Sequence, residues 1–335
     1  ASCLGIGLPM GIKWFYNDSR WKQVVTLICK TVCITAIVVS GSRTGLLCVG
    51  VCLIMVLPFC GRVKVTIGVA VFVLGLLLTF TVKTDSSRGR WFIAMRTAEL
   101  IAERPLTGHG PGGFEALYMD RQADWLEKNI GSEYEMLADN MGHPLNEWLA
   151  LATDYGIVGV IVVLALIASI VSYASRHPSE QGRTGLRIMA CAGVFSLFSY
   201  PLLYPFTWLM LFMSLIAVFH KSVSHHARQM ALFMLIVLPL CGAWLGCRIA
   251  LAMDLRKIQD KAMLGLSDRM MPRYAELYPD FRNDSRFLYN YAVEQYEAGR
   301  YEAALHSVGE CRRLLSCYDL CLLEGDVRRA LRDLC

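Results

Sequence analysis

Charge is missing from three long stretches of this chain. Residues 65–82, 188–219 and 229–247 contain no Asp, Glu, Lys or Arg, and 55% of the whole sequence is hydrophobic. About 20 apolar residues in a helix cross the hydrocarbon core of a bilayer. One such run is compatible with the buried helix of a soluble protein, but several in one chain exclude that class. The sequence predicts an all-α integral membrane protein, a polytopic bundle of transmembrane helices.

Several common motifs are also absent. The 13 cysteines contain no CxxC pair, the usual spacing of zinc and thiol-redox sites, and none lies in residues 83–147. The net charge of +5 is modest, and no basic stripe with interleaved aromatics occurs, so we expect no nucleic-acid partner. The first residues carry no signal peptide and resemble the end of a span, so we expect further spans upstream of Ala1.

The charge pattern divides the chain into four regions. We expect transmembrane helices in 1–82, a large loop in 83–147, transmembrane helices in 148–252 and a helical tail in 253–335. About seven spans are predicted from length and apolarity. They lie near Val24–Val39, Thr44–Phe59, Val65–Val82, Trp148–Ser172, Leu186–Leu203, Tyr204–His220 and Gln229–Ile249. We expect the turn between the fifth and sixth at Tyr200-Pro201 or Tyr204-Pro205, because proline disfavours helix in the residue before it.

Basic residues in the short inter-span segments predict the orientation. They are Lys13, Arg20 and Lys22; Arg62 and Lys64; Arg176, Arg183 and Arg187; and Lys221 and Arg228. Alternating spans put all four segments on one face, which the positive-inside rule makes cytoplasmic. The 83–147 loop then lies on the outer face.

The same count places the tail outside, but its position stays open. Four tail cysteines would then face an oxidising compartment, namely Cys311, Cys317, Cys321 and Cys335. One span fewer around Tyr200–Tyr204 would put the tail on the inner face.

The tail has the pattern of a tetratricopeptide repeat. Small Ala292 permits close helix contact, Gly299 turns the chain, and Tyr301 and Ala304 pack the second helix on the first. A second pair is expected near Tyr318. Such repeats are stable in sets of three or more, so we expect the tail to continue past the end of this sequence. A generic amphipathic hairpin is the alternative.

Three arginines are predicted on the outer face near lipid. Arg43 in SGSRTG follows the first span, and Arg88 and Arg90 in SSRGRW open the large loop. Arginine holds phosphate bidentately, and a helix N-terminus also favours anions. With Ser87 as the expected N-cap of a helix, the sequence predicts a phosphate site; snorkelling of the arginines to the interface is the alternative.

Two further segments of the loop are distinctive. In RPLTGHGPGGF, Pro105 is expected to end a helix and the glycines to permit positive φ, so that the loop folds back over the membrane. The segment DNMGHPLNEWL leads into the fourth span. His143 is a candidate general base, with Asp139 as its orienting partner or as the base itself. Asn146 and Glu147 are candidate substrate-binding residues, and helix capping is the alternative for Asn146.

These motifs, in this order, resemble the O-antigen ligase and polymerase superfamily of bacterial membrane glycan transferases. SGSRTG is followed by SSRGRW, then IAERPLTGHGPGGF and HPLNEWLALATDYGIVGV. The tail is similar to tails of members from Bacteroides-like bacteria. Many relatives carry His where Leu145 stands here, which leaves Asp139, Glu147 and His109 as alternative bases to His143.

The resemblance implies a function and a location. It implies transfer of an undecaprenyl-diphosphate-linked glycan to an acceptor hydroxyl at the periplasmic face of the bacterial inner membrane. Arg43 and Arg88 would hold the diphosphate and a base near His143 would activate the acceptor, without metal, nucleotide or other cofactor. Lipid A-core is the expected acceptor, and an O-antigen polymerase or protein O-oligosaccharyltransferase is the alternative. A non-catalytic membrane anchor that presents a tetratricopeptide surface to a protein partner is the alternative of another class.

Overall fold

The computed structural model describes residues 20–40, 44–47, 49–50, 66, 84–225, 243 and 246–334. These residues form helices and turns and contain no β-strand, which confirms the all-α prediction. They fall into two compact units. Unit 1 holds the described residues up to Gly108 and from His143 to 225, and unit 2 holds His109–Gly142 and the described residues from 243 onward.

Ten helices are described here in chain order. They are α1 (Arg20–Val39), α2 (Thr84–Glu103), α3 (Gly113–Lys128), α4 (Glu147–Arg176), α5 (Glu180–Phe198), α6 (Pro205–His225), α7 (Ser267–Phe281), α8 (Ser285–Glu297), α9 (Tyr301–Arg312) and α10 (Tyr318–Leu334). Residues 246–261 are also helical and lead through the π-helical turn Ala262–Leu266 into α7.

Four helices coincide with predicted spans. Helices α1, α4, α5 and α6 overlap the first, fourth, fifth and sixth, and the second, third and seventh lie mostly outside the described residues. Both predicted prolines shape the turn between α5 and α6. The 3-10 turn Pro201–Leu203 begins at one proline, and α6 begins at the other. Within the described part of the chain, α4 alone is long and apolar enough to cross a membrane; Leu27–Val39 and Pro205–Phe219 are shorter apolar helical stretches.

The predicted C-terminal end of α2 agrees with the structure, and the predicted N-terminal end does not. The helix ends at Glu103, before Pro105 as expected, but it begins at Thr84. The expectation that Ser87 caps it was wrong, because Ser87 lies inside the helix and is buried. A capping residue belongs at the solvated end of a helix.

Helices α5 and α6 pack closely as a hairpin in unit 1. A Cβ atom on Gly185 of α5 would lie 2.5 Å from the Ser214 carbonyl oxygen of α6. Small residues at such a crossing let two backbones approach. Farther along, Phe195 packs against Met210, and α4 joins through Ile170, which packs with Val218.

Helix α4 is kinked at Gly156, and the turn after α2 lies against the kink. Gly156 has φ 63° and ψ −164°, a conformation that is essentially restricted to glycine. The Ile157 N–H donates to the Pro105 carbonyl oxygen at 2.8 Å, and the Val158 N–H donates to the Leu106 carbonyl oxygen at 3.3 Å. The turn thus supplies acceptors to backbone donors next to the kink. This is how RPLTG folds the chain back.

Unit 2 contains a helical hairpin in the tail. Asp284 caps α8, Gly299 has φ 70° between α8 and α9, and Ala292 and Ala304 are fully buried in the shared core. The hairpin predicted from these small residues is therefore present. Helix α10 packs on α9 through Leu320 and neighbouring side chains. The tetratricopeptide assignment itself stays a prediction.

Candidate functional site

Three segments of unit 1 surround a cavity of about 160 Å³. They are the first turns of α2, the residues that lead into α4, and the end of α5. Its lining combines one guanidinium and one amide with aromatic and aliphatic side chains, including Arg90, Trp91, Leu145, Asn146, Leu149 and Phe198. A cavity with a cationic end and apolar walls suits an amphiphilic ligand with an anionic group.

Asn146 connects the start of α4 to the end of α5. Its Oδ1 accepts hydrogen bonds from the backbone N–H groups of Trp148 and Leu149, at 2.8 and 3.2 Å. This is the capping role that the sequence offered as the alternative. Its Nδ2 donates to the Leu197 carbonyl oxygen at 2.9 Å. Asn146 is therefore engaged on both sides of its amide by the chain itself.

Glu147 is bound to the turn between α5 and α6. Its Oε1 accepts a hydrogen bond from the Leu202 backbone N–H at 2.8 Å. Its Oε2 lies 3.6 Å from His143 Nε2, and the two side chains are 15% and 26% exposed. A partly buried carboxylate therefore faces an imidazole at the entrance to α4.

The tautomer of His143 follows from its other contact. Its Nδ1 lies 3.0 Å from the Leu145 backbone nitrogen, which can only donate, so Nδ1 is the acceptor. The proton of the neutral ring then sits on Nε2, which faces Glu147. The Tyr200 ring packs on the imidazole with centroids 5.0 Å apart. In this arrangement Glu147, rather than His143, offers the proton-accepting atom.

The predicted arginines occupy different positions. Arg90 lines the cavity, and its Nη1 donates to the Phe198 carbonyl oxygen at 2.6 Å. Arg88 is exposed two residues earlier on the same helix and is not among the lining residues. Arg43 lies outside the described residues.

The two other candidate bases belong to unit 2. The Asp139 carboxylate accepts a hydrogen bond from the Asn140 backbone N–H at 2.7 Å, and the Asp139 carbonyl oxygen accepts one from Gln122 Nε2 at 3.2 Å. His109 is half-buried at the start of that unit. Across the described ranges, no group of three or more His, Cys, Asp or Glu side chains could hold a metal ion.

The comparison with known families bears on the same part of the chain. Residues 28–164 match the O-antigen ligase family model. No curated protein and no solved structure matches the chain. The match supports a membrane glycosyltransferase of the O-antigen ligase and polymerase type, and the family implies a lipid-linked glycan and a lipid acceptor as substrates. O-antigen ligases are membrane proteins, in agreement with the apolar α4.

The matched residues 28–164 contain every predicted site residue but not the backbone groups that three of them bind. Arg90, Asn146 and Glu147 reach Phe198, Leu197 and Leu202, which lie beyond residue 164. The sequence analysis did not assign a role to Tyr200 or to this backbone. Pro201 and Pro205 were the sequence signal for this backbone. Proline has no N–H group, so the two prolines predict a break in a charge-free helix where carbonyl groups lack their usual helical partners.

Leu145 is a second residue that the sequence analysis left without a role. It lines the cavity in unit 1. Its φ is 56°, which is unusual for a residue other than glycine. Such a backbone persists where its surroundings hold it. The bond from Leu145 N–H to His143 is one such restraint.

Two substitutions of Asn146 separate its two contacts. Asn146→Asp keeps the capping oxygen but loses the donor to Leu197, whereas Asn146→Ala loses both. We expect Asn146→Ala to lower the free energy of unfolding by about 1 kcal/mol more than Asn146→Asp, the usual cost of a lost cap. Thermal unfolding of the detergent-solubilised protein measures this difference. Equal stability of the two variants would contradict the capping role.

Proposed function

We propose that this protein transfers a glycan from undecaprenyl diphosphate to a hydroxyl group of lipid A-core, as an O-antigen ligase. The observation that carries the proposal is a cavity within unit 1 that Arg90 lines, and whose lining residues Pro144, Leu145 and Asn146 lie in sequence between His143 and Glu147, which face each other. An anion-binding group and a proton acceptor are the two functions that this transfer requires.

The diphosphate would bind at Arg90. A guanidinium carries five N–H donors, so it can bind the Phe198 carbonyl and phosphate oxygens together. Trp91, Leu149 and Phe198 would contact the apolar part of the carrier next to its diphosphate. Arg88 and Arg43 are proposed to add positive charge at the same membrane face.

The reaction is a single displacement at the sugar. The acceptor oxygen forms a bond to the anomeric carbon while the bond from that carbon to the diphosphate oxygen breaks. The leaving diphosphate takes the electron pair, and Arg90 stabilises its charge. The acceptor proton passes to Glu147, whose Oε2 lies 3.6 Å from Nε2 of His143.

Substitution of Arg90 tests the diphosphate site. We expect Arg90→Gln to lower glycan transfer by about 10²–10³-fold, the usual effect of losing one group that stabilises a developing anion. Glutamine removes the positive charge and, because its side chain is shorter than that of arginine, also the Nη1 bond to Phe198. Carrier-linked and acceptor-linked glycan are measured after expression in a strain that lacks the endogenous gene.

Arg183→Gln is the matched control for Arg90→Gln. Arg183 is exposed on α5 and pairs with Glu180 at 3.1 Å, so we expect its loss to leave transfer unchanged. Full transfer by Arg90→Gln would contradict the proposed site.

The glycan profile of a deletion strain identifies the acceptor. Loss of polymer from lipid A-core with polymer accumulating on the carrier supports the ligase. Chains of a single repeat unit would instead indicate a polymerase, and loss from proteins alone would indicate a protein O-oligosaccharyltransferase.

A further inference from the structure

Helix α3 of the large loop is hydrogen-bonded to the C-terminal helices within unit 2. Ser316, in the turn between α9 and α10, makes two of the bonds. Its backbone N–H donates to the Glu115 carbonyl oxygen at 3.0 Å, and its Oγ donates to Asp120 Oδ1 at 2.7 Å. At the start of α8, Ser285 Oγ donates to Glu115 Oε1 at 3.3 Å. The tail thus contacts two successive turns of α3.

Burial and charge support this contact. Ser316 is 5% exposed, and a buried hydroxyl or N–H is costly unless it is hydrogen-bonded, so its bonds to α3 satisfy both groups. Arg312 Nη2 lies 3.9 Å from Asp120 Oδ1 and adds an attraction of opposite charges. Burial, and to a lesser extent the nearby Cys317 thiol and the Glu115 carboxylate, together raise the pKa of the Cys311 thiol to about 12.

These contacts bear on which side of the membrane the C-terminal helices lie. Two segments that exchange direct hydrogen bonds must lie in the same aqueous compartment. We infer that the C-terminal helices lie on the same face of the membrane as the 83–147 loop, where they brace α3. The part of the tail that meets α3 binds a segment of its own chain.

An even number of membrane crossings must then separate α3 from α8. The fourth to seventh spans predicted from the sequence make four crossings, so the predicted span count and the contact agree. The contact between α3 and the C-terminal helices is also close in sequence to the candidate site, because the segment after α3 leads to His143.

A disulfide across the interface tests the contact in the full-length protein in native membranes. The variant combines Asp120→Cys and Ser316→Cys with a protease site inserted after Ile130, which is 85% exposed. Cleavage separates α3 from the tail, so the two fragments stay together on a non-reducing gel only if they are cross-linked. We expect one uncleaved-size band that splits on reduction.

Glu127→Cys replaces Asp120→Cys in the matched control. It lies seven residues further along α3 than Asp120, a shift of about 10 Å along the helix. Because a disulfide spans at most roughly 7 Å between Cα atoms, we expect this shift to reduce cross-linking to Ser316→Cys. Cross-linking of Asp120→Cys alone to Cys317 or Cys321 would equally support the contact. Separate fragments from the double variant, or equal cross-linking of the control, would overturn it.

Thiol labelling tests whether the 83–147 loop and the tail lie on the same membrane face, without an engineered cross-link. Cys321 is exposed, whereas Cys311 and Cys317 are buried. A membrane-impermeant maleimide is applied to intact spheroplasts that carry Ile130→Cys, and Cys321→Ser identifies the Cys321 signal. We expect both sites to be labelled from the same side. Labelling of one from outside and of the other only after permeabilisation would overturn the inference, and neither outcome depends on glycan transfer.

Discussion

Replacing Glu147 with glutamine is expected to lower the rate of glycan transfer by about 10²–10⁴-fold, the contribution typical of a general base. Glutamine keeps an acceptor oxygen for the Leu202 N–H, so the turn between α5 and α6 remains bound. It removes the group that can take the acceptor's proton. Transfer in membranes loaded with carrier-linked glycan measures the rate at equal amounts of folded protein.

Two comparisons make the result specific to Glu147. Asp124→Asn removes a carboxylate that is exposed on α3, and we expect it to transfer at the wild-type rate. His143→Gln removes the ring that orients Glu147, and we expect a smaller loss than that of Glu147→Gln, because the proton acceptor is still present. If His143→Gln caused the larger loss, the base would be His143.

Gly156→Ala is expected to lower the stability of unit 1 by about 3 kcal/mol, the upper end of the roughly 1–3 kcal/mol that a residue forced into a glycine conformation costs. Its Cβ would lie 2.3 Å from the Leu106 carbonyl oxygen. The turn would have to move away, which would break the bonds to Ile157 and Val158. Thermal unfolding in detergent, followed by circular dichroism, measures the effect.

Gly193→Ala is the matched control for this experiment. Gly193 lies within α5, and no atom lies within 4 Å of the position that its Cβ would occupy. We expect that variant to be as stable as the wild type or slightly more stable, since alanine favours helix by up to about 1 kcal/mol. Equal melting temperatures of the two variants would contradict the role of the kink.

Local signals in the sequence predicted much of the fold. Pro105 marked the end of α2, Pro201 and Pro205 marked the break after α5, and Gly299 marked the hairpin of the tail. The prolines restrict their own backbone and Gly299 permits a positive φ, so the effect of each residue is local and does not depend on distant partners. The early start of α2 was missed because Ser87 is favourable at a helix terminus but is also tolerated inside a helix.

The contacts of the candidate site could not be predicted in the same way. The partners of Asn146 and Glu147 are 51 and 55 residues away in sequence, and that of Arg90 is 108 away. All three are backbone atoms, whose position depends on helix packing and leaves no trace in residue type. The sequence therefore identified the polar side chains but not the turn that they hold. The contact of Ser316 with α3 also depends on how distant helices pack, so the sequence did not predict it.

The kink in α4 has a consequence for the order of events in biosynthesis. A straight span satisfies all its backbone groups alone and can enter lipid as soon as it leaves the ribosome. Two backbone N–H groups of α4 instead donate to the carbonyl oxygens of Pro105 and Leu106. An N–H group left without a partner in hydrocarbon costs on the order of several kcal/mol. Residues 105 and 106 are synthesised before α4, so these acceptors are available when α4 inserts, and the turn that carries them has to lie against the helix. Insertion of this helix is thus a folding step of the loop as well.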